Sequence, residues 1–295
     1  MLVEKITSRQ NPLVKRFRRV RAGSERPLVF LEGVRLIEDA LATGARFESV
    51  AFTAELGATE RGAALLGVLQ GVQCRGSLVP LQVMEAIADT RSPQGIAAIV
   101  SRPFFSLDDL FSRSPDLLVI ADELQDPGNL GTIIRTAEAA GASGLITTRY
   151  TVDAFSDKAI RASMGSALRL PLVTDAKRGE VIARCRENDI KIIASIPSPS
   201  RVPGRIGDVA AEPPVRIYTE CVMTARIAII VGREAAGVSP VTSAEADEFL
   251  HIPMAVGVES LNVAAAAAIL LYEAARQRGF QFEQSANTVA RNARD

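Results

Sequence analysis

The chain contains 295 residues, of which 47% are hydrophobic and 23% are charged, values that are typical of a folded globular protein and exclude a wholly disordered one. Its 34 Lys and Arg residues balance its 34 Asp and Glu residues, so the protein is not uniformly basic. Its three cysteines form no C-x-x-C pair, and no apolar run reaches the ~18–20 residues of a membrane span. We therefore expect a cytoplasmic protein without a disulfide scaffold, a zinc finger or a membrane segment.

Basic residues are concentrated near the N-terminus. The first 26 residues hold eight Lys and Arg residues against two Glu residues, so the rest of this neutral chain must be acidic. A basic arm on an acidic body favours a polyanionic partner that the arm reaches. A solvated helix face without any partner explains the same cluster equally well.

The first half of the chain alternates short apolar runs with segments of helical periodicity. This alternation predicts a small α/β domain that, together with the basic arm, occupies residues 1–102. The predicted strands are 28–33, 48–52 and 95–100, and the predicted helices are 34–44, 59–70 and 80–90. A linker containing prolines and serines is expected at 103–115.

The second half repeats the alternation and predicts a mostly parallel sheet covered on both faces. The predicted strands are 116–121, 144–148, 170–174, 190–196, 226–232 and 249–254, and the predicted helices are 129–141, 156–168, 180–189 and 260–279. Asn129 is expected to cap the first of these helices and Gly141 to end it. Residues 197–216 are rich in Pro and Gly and are expected to form an exposed loop, and residues 281–295 a loose tail.

Three segments of the second half resemble ligand-binding loops. Residues 129–135 (Asn-Leu-Gly-Thr-Ile-Ile-Arg) lie at a strand-to-helix junction, where parallel sheets bind ligands and helix N-termini bind anions. Residues 230–239 place two glycines after an apolar strand but match neither the dinucleotide nor the NTP glycine fingerprint. Residues 252–254 (Ile-Pro-Met) and 259–264 (Glu-Ser-Leu-Asn-Val-Ala) precede an alanine-rich helix. Taken singly, each segment also fits an ordinary turn or helix cap.

In this order and spacing, the three segments closely resemble the three motifs of the SpoU/TrmH family of RNA 2′-O-ribose methyltransferases, which belongs to the SPOUT class. Residues 156–173 resemble the family's stretch between the first and second motifs. Residues 6–19, 30–41 and 92–100 are similar to the L30e-like RNA-binding domain that often precedes the catalytic domain. The resemblance therefore covers nearly the whole chain, from about residue 3 to residue 279.

The resemblance implies a fold and a cofactor. It implies an α/β protein in which a parallel-sheet catalytic domain at 116–280, with a C-terminal trefoil knot at about 226–280, follows the L30e-like domain. S-adenosylmethionine would bind in the knot loops, and the C-terminal helix would form a homodimer. The implied cofactor contacts are Gly232, Glu234, Ile252, Met254 and Leu261. Arg233 stands where the family usually has a small polar residue, and we expect it to point to solvent or RNA.

The implied reaction transfers a methyl group to a ribose 2′-hydroxyl and needs no metal. The hydroxyl is a poor nucleophile until its proton is removed in the transition state. The family assigns this step to the arginine of the first motif, here Arg135; alternatively, because arginine normally stays charged, Arg135 clamps the target's phosphate and stabilises the alkoxide. Asn129 and Asn262 would orient Arg135, the hydroxyl or the phosphate. Glu234 would hold the motif loops or Arg135, and Ser260 would assist the hydroxyl or the cofactor.

The implied partner is structured RNA, docked through phosphate contacts and shape. The RNA-binding residues would come from the basic arm and are Arg9, Lys15, Arg16, Arg18 and Arg19. The N-terminal domain favours 23S rRNA, often a guanosine, as the target. The alternatives are a tRNA 2′-O-methyltransferase and an RNA-binding or ribosome-assembly protein without catalysis. An unrelated α/β nucleotide-binding enzyme is disfavoured by the missing glycine fingerprints, and the single histidine, His251, excludes a Ser-His-Asp hydrolase.

Overall fold

The computed structural model describes residues 1–199, 213–233, 238 and 244–280. The chain divides into two compact units, one formed by Met1–Phe104 with Asp153–Arg169 and the other by Phe105–Val152 with Leu170–Asp295. No helix among the described residues is both long enough and apolar enough to cross a membrane. The domain limits expected from the sequence (1–102, 103–115 and 116–280) remain predictions.

Ten α-helices lie in the described part of the chain. In chain order they are α1 (Pro12–Arg21), α2 (Val34–Ala42), α3 (Glu60–Gln70), α4 (Leu81–Ile87), α5 (Leu107–Phe111), α6 (Pro127–Ala139), α7 (Asp157–Ser163), α8 (Ser166–Arg169), α9 (Arg178–Glu187) and α10 (Val263–Gln277). Between the strands, these helices produce the alternation that the apolar periodicity predicted, so the α/β class is confirmed.

The first unit contains a five-stranded mixed sheet. Its strands are β1 (Leu2–Lys5), β2 (Leu28–Glu32), β3 (Phe47–Phe52), β4 (Arg75–Leu78) and β5 (Ile96–Ser101). The spatial order is β1-β4-β3-β5-β2, in which β5 runs antiparallel to both of its neighbours. The sequence did not predict β1 or β4, because each is only four residues long and neither contains an apolar run.

The basic arm contributes strand β1 to this sheet and helix α1, which packs on it. Val14, Phe17 and Val20 lie on one face of α1 and are buried, and the ring of Phe17 meets the ring of Phe30 edge-to-face with centroids 6.5 Å apart. Asn11 caps the helix by accepting a hydrogen bond from the Leu13 N–H at 2.8 Å. The apolar face therefore fixes α1 in place, and its basic residues lie on the remaining surface.

The second unit contains a seven-stranded sheet. Its strands are β6 (Leu117–Ala121), β7 (Gly144–Thr148), β8 (Leu172–Ala176), β9 (Lys191–Ser195), β10 (Val215–Ile217), β11 (Ile227–Val231) and β12 (Glu248–His251). The order is β10-β12-β9-β11-β6-β7-β8, and every neighbouring pair is parallel, as predicted. β6 and β11 are neighbours near the middle of the sheet and are completely buried, which explains their continuous apolar sequences.

The start of α6 differs from the prediction. Asp126, and not Asn129, is the N-cap, and its carboxylate accepts a hydrogen bond from the Asn129 N–H at 2.9 Å. Pro127 occupies the first turn, where its fixed φ suits a helix and its missing N–H costs nothing. The helix ends as predicted, with Gly141 at φ +74° just beyond it. Asn129 is therefore free of the capping role and can present its side chain to another element.

The helix predicted at 156–168 is two short helices. Ser156 caps α7, and the chain then takes left-handed backbone angles at Met164 (φ +50°) and Gly165 (φ +83°) before α8 begins. A Cβ added at Gly165 would lie 3.0 Å from the carboxyl carbon of Asp39. The periodicity did not reveal this break because the apolar spacing continues through it.

Part of the knot prediction concerns residues outside the described ranges. The path of the chain between β9 and β12 includes residues 200–212, 234–237 and 239–243, which are not described. The trefoil knot at about 226–280 therefore remains a prediction, as does the tail over 281–295. Of the loop predicted at 197–216, residues 200–212 are not described, but Val215 and Arg216 belong to β10, so the loop ends earlier than predicted because this segment pairs with β12.

A candidate site at the carboxyl edge of the parallel sheet

The three sequence motifs follow three strands of the same parallel sheet. The first motif follows β6, the second follows β11 and the third follows β12. Because these strands are parallel, all three motifs start from the same edge, and β6 and β11 are hydrogen-bonded neighbours there. The carboxyl edge of a parallel sheet is where α/β proteins bind their ligands. The motifs therefore converge on one candidate site.

The first and third motifs meet through a pair of asparagines. The Asn262 Nδ2 donates a hydrogen bond to the Asn129 Oδ1 at 3.0 Å, although 133 residues separate the two in sequence. Asn262 also caps α10, since its Oδ1 accepts hydrogen bonds from the N–H groups of Ala264 at 2.9 Å and Ala265 at 3.3 Å. The cap requires the oxygen to face α10, so the amide nitrogen is directed to Asn129.

Two substitutions of Asn262 distinguish its cap of α10 from its hydrogen bond to Asn129. Asn262→Ala removes the cap and is expected to lower the free energy of unfolding by about 1 kcal/mol. Asn262→Asp keeps the capping oxygens but loses the amide donor to Asn129, so it should keep most of that stability. Urea unfolding followed by circular dichroism measures both variants. Equal destabilisation by the two substitutions would contradict the capping role.

Arg135 occupies a different position from the asparagines. It lies on the exposed face of α6, six residues after Asn129. Among the residues that the structure describes, none is recorded in a hydrogen bond or ion pair with the Arg135 guanidinium. Arg135 is therefore accessible to an external anion, and no hydrogen bond to Asn129 or Asn262 is recorded for it in the described part of the chain.

The predicted cofactor residues lie where the strands end. Gly232 follows β11 and is buried, and Ile252 and Met254 follow β12 and are half-buried. Leu261 is 38% exposed, and the neighbouring Ser260 is also exposed. Ile252, Met254 and Leu261 are apolar, and Gly232 exposes only backbone to its neighbours. Glu234, predicted both as a catalytic residue and as a cofactor contact, lies outside the described residues.

A network of charged side chains beside the motifs was not predicted. Asp122, which is 2% exposed, accepts hydrogen bonds from the Arg178 Nη2 at 2.9 Å and from the Thr148 hydroxyl at 2.8 Å. The Glu123 carboxylate pairs with the same arginine at 2.6 Å and, through its other oxygen, with Arg233. The only sequence signal was two acidic residues directly after a buried strand. Their partners could not be predicted because they are remote in sequence.

Arg233 is largely exposed to solvent, as expected, and it also has an ion-pair partner that was not predicted. Its side chain is 55% exposed, and its guanidinium pairs with Glu123. Burial raises the pKa of Glu123, but hydrogen bonds from Arg178 and Arg233 lower it more, so the pKa lies below its ordinary value. Glu123 is therefore ionised and offsets the positive charge beside Gly232.

The predicted RNA-binding residues differ in whether their side chains already pair with groups of the protein. Arg16 forms ion pairs with Glu48 at 2.8 Å and Glu25 at 3.4 Å, and Arg19 pairs with Glu25 at 2.9 Å. Arg9 donates a hydrogen bond to the Gln82 carbonyl at 2.9 Å and lies 3.7 Å from Glu85. Lys15 and Arg18 are exposed, and no side-chain hydrogen bond or ion pair among the described residues is recorded for either.

The described residues contain no group of three or more His, Cys, Asp and Glu side chains placed to hold a metal ion. This finding covers only residues 1–199, 213–233, 238 and 244–280.

Comparison with known proteins gives consistent matches. Residues 116–272 match the SpoU rRNA Methylase family, and residues 11–98 match the MRM3-like substrate binding domain. The 23S rRNA (guanosine(2553)-2′-O)-methyltransferase RlmP of Bacillus subtilis is 30% identical, with 92% of this chain and 98% of that protein covered. The AdoMet-bound rRNA methyltransferase from Sinorhizobium meliloti has a TM-score of 0.77 at 30% identity, covering 93% of this chain and 98% of its own. The AdoMet complex of the SpoU methyltransferase AviRb from Streptomyces viridochromogenes has a TM-score of 0.78 at 26% identity, covering 91% and 98%.

Proposed function

The chain belongs to the SpoU family of RNA methyltransferases, and we propose that its active site lies at the carboxyl edge of the seven-stranded sheet, where β6, β11 and β12 end. Its reaction is the S-adenosylmethionine-dependent methylation of a ribose 2′-hydroxyl in RNA. The observation that carries the proposed site is the hydrogen bond between Asn129 and Asn262. That bond brings the first and third motifs together, and the second motif follows the strand next to β6.

The residues at this edge suit the cofactor. S-adenosylmethionine is the cofactor, and when bound it supplies a methyl group on a positively charged sulfur. Gly232 has no side chain, so a nucleoside can approach its backbone closely. Ile252, Met254 and Leu261 offer apolar surface for an adenine ring. We assign these four residues to cofactor binding and keep Glu234 in the same role.

Arg135 is assigned to the RNA in this proposal. Its exposed guanidinium can form two parallel hydrogen bonds to a phosphate or to a developing alkoxide. A guanidinium is a poor proton acceptor, so stabilising the negative charge on the ribose oxygen accounts for its role better than removing the proton does, and the hydroxyl proton passes to water as the methyl group is transferred. Asn129 and Asn262 would position the ribose, and Ser260 and Glu234 would hold the hydroxyl and the surrounding loops.

We propose that the target is a guanosine in 23S rRNA. RlmP of Bacillus subtilis and RlmB of Escherichia coli, which is 31% identical over 72% of this chain, are both named for a 23S rRNA guanosine. Primer extension on rRNA from cells that lack the gene tests this, with purified protein and S-adenosylmethionine added back. One restored 2′-O-methyl stop at a 23S guanosine is the expected result. Methylation confined to tRNA would support the tRNA alternative, and cofactor binding without any methylation would support a non-catalytic role.

The RNA contacts of α1 are expected to come mainly from Lys15 and Arg18. Arg16 and Arg19 are paired with glutamates, so they would have to exchange those ion pairs for a phosphate. A side chain without an acidic partner contacts a phosphate without that exchange. Arg9 is intermediate, because its pairing with Glu85 is long at 3.7 Å. This surface would dock the RNA by charge and shape and not by base identity.

We also propose a homodimer in the cytoplasm, formed through α10. One face of α10 is buried within its own unit. That face carries Ala264, Ala267, Leu270, Leu271 and Ala274. The opposite face carries Ala265, Ile269 and Tyr272 at helical spacing, and Tyr272 is 47% exposed. A second copy of the same helix would cover this apolar stripe, and the small alanines would allow the two backbones to approach closely.

Tyr272→Glu tests the dimer. A buried, unpaired carboxylate at the centre of the stripe is expected to weaken dimerisation by about 100-fold or more. Sedimentation velocity over a range of concentrations measures the change. Val68→Glu is the matched control, because Val68 is a similarly exposed apolar residue on α3 and its substitution should leave the dimer intact. A wild-type protein that sediments as a monomer at all concentrations would contradict the proposal.

A further inference from the structure

Glu123 and Arg233 occupy matching positions just after the ends of two neighbouring strands, β6 and β11. Ala121 of β6 and Val231 of β11 are partners in the parallel register, and the Asp122 N–H donates a hydrogen bond to the Val231 carbonyl at 2.9 Å. Glu123 and Arg233 each lie two residues beyond that pair. The ion pair between them therefore links the loop after β6 to the loop after β11, directly at the edge of the sheet.

The backbone and side chain of Glu123 are both held from several directions. Its N–H donates to the Thr151 hydroxyl at 2.9 Å, and its φ of +58° is a left-handed angle that few non-glycine residues adopt. One carboxylate oxygen receives Arg178 at 2.6 Å and the other receives Arg233. Arg178 is also held by Asp122. Loss of the Glu123 charge would therefore leave Arg178 with a partner.

Arg233, unlike Arg178, would lose its recorded carboxylate partner if the Glu123 charge were removed. Among the described residues, Glu123 is the only carboxylate recorded against the Arg233 guanidinium. Arg233 is adjacent to Gly232, which the proposed function places against the cofactor. An uncompensated guanidinium at this position would repel a positively charged sulfonium, since two like charges in a partly buried site interact more strongly than in water.

We propose that Glu123 is a positioning residue that holds Arg233 in place and offsets its charge, so that the sulfonium of S-adenosylmethionine can be bound beside it. The inference rests on the proposed function only through the placement of Gly232 at the cofactor. It differs from a simple structural role for Glu123 because it depends on the charge of the ligand. A ligand of the same shape without the positive charge should be insensitive to Glu123.

The test compares S-adenosylmethionine with S-adenosylhomocysteine, whose sulfur is neutral, by calorimetry on the full-length protein. Glu123→Gln is expected to raise the Kd of S-adenosylmethionine by about tenfold and that of S-adenosylhomocysteine by less than about twofold. Adding Arg233→Gln to Glu123→Gln should restore the original ratio of the two Kd values. Raising the salt concentration should reduce the selective effect of Glu123→Gln.

Two results would overturn the inference. One is an equal loss of affinity for both ligands, which would indicate a distorted loop and no effect of charge. The other is unchanged affinity for both. If Glu123→Gln does not fold, Glu123→Ala removes the same charge without leaving an amide to satisfy and is interpreted in the same way. A wild-type protein that binds neither ligand would instead contradict the proposed function, so the two failures are distinguishable.

Discussion

Arg135→Ala is expected to lower kcat for methyl transfer by about 100- to 1000-fold while changing the Kd of S-adenosylmethionine by less than about threefold. The guanidinium is exposed on α6, and the proposed cofactor residues belong to the loops after β11 and β12. Removing it should therefore cost the interactions that form with the RNA in the transition state and leave cofactor binding intact. Single-turnover methylation of the target RNA measures the first quantity and calorimetry measures the second.

Two further substitutions determine what Arg135 contributes. Arg135→Lys keeps the positive charge but loses the planar pair of donors, so it should recover only a small part of the rate. Arg186→Ala is the control, because Arg186 is an exposed arginine on α9 that pairs with Glu245, and its loss should leave the rate unchanged. Full turnover by Arg135→Ala would show that the site has been assigned to the wrong residue. Loss of rate and of cofactor affinity together would place Arg135 at the cofactor.

Gly62→Ala and Gly67→Ala are expected to change stability in opposite directions, although both glycines lie in α3. A Cβ at Gly62 would collide with the Leu56 carbonyl oxygen and lie 2.6 Å from the Thr59 hydroxyl, whereas a Cβ at Gly67 would meet nothing within 4 Å. Overpacking against the backbone is expected to cost Gly62→Ala about 3 kcal/mol. Gly67→Ala should gain about 0.5–1 kcal/mol because alanine loses less conformational freedom in a helix.

The two glycine variants control for each other. Both make the same chemical change in the same helix, so their difference reports on the surroundings of α3 and not on helix propensity. Urea unfolding of each variant beside the wild type gives the two free energies. A stabilising effect of Gly62→Ala would mean that the turn at Ala54–Ala58 moves away from α3 at little cost.

Much of the fold is determined by local sequence. The apolar runs that became β6 and β11 are continuous because both faces of a central parallel strand are buried, and that pattern is visible without any structure. The end of α6 at Gly141 is equally local, since glycine takes the left-handed angle there at no cost. The three motifs were recognised in the same way, from residue types at short spacing after predicted strands.

The prediction failed wherever a distant partner decides the outcome. Strand β1 is a segment of only four exposed residues that becomes a strand because β4 pairs with it, with Leu2 opposite Arg75. Asparagine is a preferred residue type at a helix N-cap, but Asp126 caps α6 and Asn129 instead hydrogen-bonds to Asn262. Which of two nearby polar residues caps a helix depends on what else surrounds them, and the sequence does not contain that information locally.

The sequence by itself determined the α/β class and the central strands of the parallel sheet, and its resemblance to the SpoU/TrmH family indicated the candidate site residues. Only the tertiary structure decided which of those residues meet. Glu123 and Arg233 are 110 residues apart, and they pair because β11 lies next to β6 in register, a neighbour relation set by packing of the whole sheet. Periodicity reports the burial of each segment, but the contact between two segments depends on the fold as a whole, and that contact places the charges of this site.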